Sequence, residues 1–179
     1  NKALAGSGGA IYLAGNSALS FTGATSFTGN QALAGSGGAV YAKNISLTNT
    51  VASELLISGN TATDKGGAFY VMDNGAFALN ATAGDIKFSG NTAAANSGAA
   101  IWLGSSATLN LNTGAKNIIF ADSLGSAGSN TLTKTGTGTL TFAGTNAHNF
   151  SGTSNVNAGE FRLTNGATFG VASQGSFTL

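Results

Sequence analysis

Gly37-Gly38-Ala39-Val40-Tyr41 opens a stretch that runs on through Ala42-Lys43-Asn44-Ile45-Ser46-Leu47-Thr48, with apolar and small or polar residues alternating along much of it. Alternation with a period of two marks a strand that buries one face. The opening phrase returns as Gly8-Gly9-Ala10-Ile11-Tyr12, Gly66-Gly67-Ala68-Phe69-Tyr70 and Gly98-Ala99-Ala100-Ile101-Trp102, so its alanines fall at 10, 39, 68 and 100. A second phrase precedes each of the last three copies: Phe27-Thr28-Gly29-Asn30, Ile57-Ser58-Gly59-Asn60 and Phe88-Ser89-Gly90-Asn91. Units that recur at a fixed period bury their apolar faces against the next copy, so the chain is a stack.

Each copy holds three alternating segments. The first carries Ile11, Val40, Phe69 and Ile101; the second carries Leu19 and Phe21, Ile45 and Leu47, Phe77 and Leu79, then Leu109 and Leu111. The third carries Phe27, Leu55 and Ile57, Ile86 and Phe88, then Ile118 and Phe120. Three short strands per coil of about 30 residues, each pairing in parallel with its counterpart one coil away, predict an all-β solenoid, the right-handed parallel β-helix. The hand follows from the general preference of parallel crossovers. Residues 1–129 form the coils with these phrases. Residues 130–179 change character, as in Thr131-Leu132-Thr133-Lys134 and Thr139-Leu140-Thr141-Phe142, and read as further coils with a different repeat. The longest turn follows the third strand, and extra chemistry is expected there.

Composition narrows the function. Charged residues make up 7%, glycine supplies 28 positions, and proline and cysteine are absent. A hydrophobic fraction of 42% argues against disorder, and a net charge of +1 with scattered lysines argues against a nucleic-acid partner. Without cysteine there is neither a disulfide framework nor a thiolate metal site. No apolar run approaches the roughly 18 residues of a membrane-spanning helix, and neither end reads as a natural terminus, so the chain is expected to be part of something longer.

Asn30, Asn60 and Asn91 are expected to stack as an amide ladder at one corner. Tyr12, Tyr41, Tyr70 and Trp102 follow inward residues and therefore face outward as an aromatic column, either packed as a ladder or open to sugar rings or a protein. The glycine pairs suit a turn of positive φ or a close approach. Glu54, Asp64, Asp73, Asp85, Asp122 and Glu160 are expected to share no column on adjacent coils, and His148 to sit in a polar turn. The expectation is no enzyme, no catalytic residue, no metal and no cofactor.

The glycine-alanine and Phe-x-x-Asn phrases, over Asn1 to about Ser123, resemble the repeats of the chlamydial polymorphic membrane proteins, a family of autotransporter adhesins. Gly8 to Ile11, Gly37 to Val40, Phe27 to Asn30 and Phe88 to Asn91 fit its two motifs. Departures are Phe69 after Gly66-Gly67-Ala68, Ala99 for a glycine, Ile57 for phenylalanine, and Phe120-Ala121-Asp122-Ser123 without the asparagine. The tail, with Gly138-Thr139-Leu140-Thr141-Phe142, Phe150-Ser151-Gly152-Thr153 and Asn157-Ala158-Gly159, resembles passenger-associated repeats. The resemblance implies a segment of a surface-exposed or secreted bacterial autotransporter passenger, exported by an outer-membrane β-barrel translocator and acting as an adhesin or its stalk. The repeated motif residues would then carry contact with a host-cell surface protein or glycan. Alternatives are a polysaccharide-acting β-helix enzyme whose active site lies elsewhere, and self-association into a filament through strand edges.

Overall fold

The computed structural model describes residues 1–145 and 147–170, together with the backbone of Gly175–Thr178. Strands of successive coils pair in parallel, giving a parallel β-helix. One ladder runs through Phe27–Thr28, Leu55–Ser58, Ile86–Ser89, Ile118–Phe120, Thr139–Phe142 and Glu160–Leu163. Another runs from Ala18–Thr22 through Thr108–Asn112, Asn130–Thr135 and Gly152–Val156 to Gly175–Thr178. The coils containing residues 130–170 thus prolong the sheets of the earlier ones without a break.

Two details differ from three separate strands per coil. In the second and third coils the first two strands fuse into Val40–Asn49 and Phe69–Ala81, with a register shift between Ala42 and Asn44 that bends the sheet. The long turn also contains a ladder of its own, Lys2–Ala3, Gln31–Ala32 and Thr61–Ala62.

The alternation in the sequence places the core. Ile45 and Leu47 lie beneath Phe77 and Leu79, and these beneath Leu109 and Leu111, in register. All are buried. Phe88, Phe120 and Phe142 stack at ring separations of 4.8 and 5.2 Å. Burial contributes about 1.5 to 3 kcal/mol for each such side chain, but only when a neighbouring coil covers it.

The glycine pair divides its work. Gly37 has a φ of 68°, a left-handed conformation that costs a glycine little. A Cβ on Gly38 would strike the carbonyl of Gly67 in the next coil and come within 2.6 Å of the Thr61 carbonyl oxygen. The fourth copy tolerates Ala99 because the coil after it omits the long turn. Phe88 is separated from Ile101 by that turn, whereas their register partners Phe120 and Leu124 are joined by Ala121-Asp122-Ser123 alone. Losing this turn also shortens the coil: Leu132 pairs with Leu109, and Leu140 with Ile118.

Candidate functional site

The Phe-x-x-Asn phrase turns the chain at one corner and points the asparagine inward. Asn30 donates from its backbone N and its Nδ2 to Asn60 Oδ1, at 3.0 and 2.8 Å. Asn60 repeats both bonds to Asn91 Oδ1 at 3.0 and 2.8 Å, and its Nδ2 also reaches the Phe27 carbonyl at 2.9 Å. Asn1 enters the same ladder through Asn30 Oδ1 at 3.0 Å.

Asp122 continues the series in place of an amide. Its Oδ2 accepts from Asn91 Nδ2 at 2.6 Å and from Asn91 N at 3.0 Å, while Oδ1 accepts from Gly90 N at 2.8 Å. Where the long turn is lost, no further rung accepts a proton, so an acceptor-only side chain fits the position better than an amide. Burial raises the pKa of this carboxyl, partly offset by the hydrogen bonds from Asn91 and Gly90. The asparagine spacing exposed the ladder in the sequence, whereas Asp122 stands one residue early and gave no sign of its part.

Tyr12, Tyr41, Tyr70 and Trp102 share one register column and face outward. Tyr12 and Tyr41 stack at 5.1 Å and 19°, Tyr41 and Tyr70 at 4.6 Å and 7°. Tyr41 is therefore covered on both faces, Tyr12 and Tyr70 are each stacked on one face by a tyrosine, and Tyr12 stays 58% exposed. Burial, with Tyr41, Asp73 and Asp64 adding to it, pushes the Tyr70 hydroxyl up to about 12. Lys65 Nζ lies 4.9 Å from the centre of the Trp102 ring, a cation over its face. The column is a packed ladder from Tyr12 to Tyr70, with Tyr12 its most exposed ring.

The motif residues expected to make contact are mostly inside. Phe27, Asn30, Ala39, Val40, Asn60, Ala68, Phe88 and Asn91 are buried, as are Gly8, Gly37, Gly38, Gly66 and Gly67. Gly9 and Ile11 are half-buried, and Ala10 is exposed. The motif residues expected to carry binding are thus placed mostly inside, where they build the coil and offer little surface for contact.

Two polar residues of the tail occupy core positions. His148 does not sit in a polar turn. It pairs with Phe169 and lies one coil beyond Leu124 in the inward column, is fully buried, and packs 4.5 Å from the Phe142 ring. Leu124 N donates to His148 Nδ1 at 3.2 Å, so the neutral ring carries its proton on Nε2. Burial lowers its pKa to about 4, against a smaller opposing effect of the Ala143 backbone. Lys134 takes the inward position between Leu111 and Val156. Its Nζ donates to the Ala158 and Gly136 carbonyls at 2.8 and 2.9 Å and to Thr113 Oγ1 at 3.1 Å, closing the coil corner, and burial lowers its pKa. A lone histidine and a scattered lysine carry no periodic signal, so only the register reveals them.

The acids also differ from expectation. Leu55 pairs with Ile86, which puts Glu54 and Asp85 in one column on adjacent coils. Asp85 is engaged by Asn117, whose N lies 2.8 Å from its Oδ1, and Asp64 accepts from Ser36 Oγ at 3.0 Å. Among the described residues no group of three or more His, Asp or Glu converges as a metal site.

The Chlamydia polymorphic membrane protein repeat matches residues 24–43, 54–72 and 85–104, and the passenger-associated-transport-repeat matches residues 132–163. These are repeats of autotransporter passengers. Each of the first three matches covers a ladder rung, the turn of the glycine pair (Gly98-Ala99 in the third) and the inward strand, and the fourth spans Lys134 and His148. The passenger lies at the bacterial cell surface or is secreted, and its repeat type implies an outer-membrane translocator as partner. Among the described residues no helix is long and apolar enough to cross a membrane. Neither a curated protein nor a solved structure matches the chain.

Proposed function

We propose that this passenger segment is the rigid shaft of a bacterial adhesin and that its outward columns touch a host-cell surface protein or glycan. The observation that carries the reading is the pairing of passenger repeats with a core that runs from coil to coil: motif residues are spent on stacking, and the faces between them are free to vary. The reading is non-enzymatic. It is supported by acids that are spread over different corners or held by neighbouring amides, as Asp85 and Asp122 are.

Beads coated with the purified chain, applied to cultured epithelial cells, test the adhesive part. Retention above that of beads coated with a heat-unfolded sample is expected, and equal retention refutes contact by this segment. A variant with Tyr12, Tyr41 and Tyr70 changed to Ser then measures the share of the aromatic edge.

A further inference from the structure

Two neighbouring coils differ in length at one corner. Thr22 pairs with Thr48, 26 residues on, whereas Phe27 pairs with Ile57, 30 residues on, so the second coil holds four more residues at the intervening corner. In the next pair the mismatch shrinks to one residue, as Thr48 pairs with Asn80 and Ile57 with Phe88. The second coil's corner therefore overhangs the first, and a groove of about 330 Å³ opens beneath it.

We propose that this groove binds a neutral or amino sugar. Leu56, 41% exposed, and Val51 provide apolar surface for the C–H face of a sugar ring. Thr25, Ser26, Thr28 and Ser58 line the same groove with hydroxyls, which both donate and accept and so match sugar hydroxyls of either sense. Ser26 and Thr28 already bond to each other at 3.0 Å, which orders that edge. Glu54 is exposed and is the one ionisable residue in the lining. Its carboxylate accepts from a sugar hydroxyl or ammonium, and Asp85 stands one coil further along its column. Lys87, paired with Leu56, offsets Asp85 on that coil, so Glu54 is the charge that sets the lining against sialylated, sulfated and phosphorylated ligands. The volume is at the small end of ligand sites and suits a monosaccharide or disaccharide. The inference rests on the adhesin reading and names the ligand class for it.

The test is a titration of the isotope-labelled chain, followed by amide NMR, with N-acetylglucosamine, glucosamine and N-acetylneuraminic acid. Shifts are expected to cluster in residues 24–28 and 51–58 with the first two and to be absent with the third. Glu54→Gln is expected to weaken glucosamine about tenfold, the value of one charge-assisted hydrogen bond, while leaving N-acetylglucosamine within about twofold. Leu56→Asn, another exposed change, is expected to weaken both. No cluster with any sugar, an equal response to the acidic sugar, or unaltered variants would overturn the proposal. If the groove stays silent while coated beads still hold cells, the sugar site is wrong and the adhesin reading stands. If the groove binds sugar while the beads fail, the reverse holds.

Discussion

Acidification should loosen the tail through His148. In the folded chain its imidazole has a pKa of about 4, against 6.5 when free in water. The folded state thus binds fewer protons than the unfolded one between these values, and stability falls as pH falls. The contribution is fully present above about pH 6.5, declines through the window and levels off below about pH 4. At pH 5 the loss relative to pH 7 is about 2 kcal/mol, and the limiting loss is about 3 kcal/mol. The structure supplies the cause: burial keeps water from the charged ring, and a protonated Nδ1 would face the Leu124 N–H that it now accepts from. The raised pKa of Asp122 acts in the opposite sense, favouring the folded state as its carboxyl protonates near and above its ordinary 3.8.

The assay is urea unfolding at pH 7 and pH 5, read by circular dichroism and Trp102 fluorescence. His148→Leu serves as the comparison, since leucine fits the column of Leu124 and cannot titrate. If the chain unfolds as one unit, the wild type should also lose about 4 to 8 °C in melting temperature over this pH step. The variant should start lower, because Leu124 N loses its acceptor, yet lose less stability on acidification. Equal losses in the two proteins would refute the assignment of the effect to His148.

Three further outcomes follow from the packing. Asn60→Ala removes the acceptor for both Asn30 donors, and should cost about 2 to 4 kcal/mol in urea titration with the coil fold retained by circular dichroism; an unchanged midpoint would sink the ladder account. Gly38→Ala places a Cβ against the Gly67 carbonyl and should cost more than about 3 kcal/mol, whereas Ala99→Gly, where the long turn is missing above, should cost less than about 1; melting temperatures of the pair check the contrast. Lys134→Ala leaves the Gly136 and Ala158 carbonyls without this partner and opens space beside Leu111, for about 3 kcal/mol; hydrogen exchange in residues 130–163 should quicken while residues 40–112 stay protected.

Much of the fold was legible because a solenoid repeats its chemistry. Ile45, Phe77 and Leu109 recur at matching places in their copies, and period-two alternation assigns them to the inner face without knowledge of the neighbour. The asparagine ladder was legible for the same reason. The groove was not: the extra corner residues around Val51 to Glu54 become a ledge only when the shorter corner of the preceding coil lies beside them. Nor was the column of Glu54 and Asp85, because their pairing depends on where the intervening residues of each coil are looped out.

The sequence by itself determined that this chain stacks, which faces turn inward and which repeats compose it, since local alternation and period are properties of residue order. Tertiary structure alone decided that most of the motif residues are buried, that Tyr41 is covered by Tyr12 and Tyr70, and that His148 and Lys134 sit at core positions. Those outcomes depend on register between coils, and register is set by all the turns of a coil together and not by any short stretch of it.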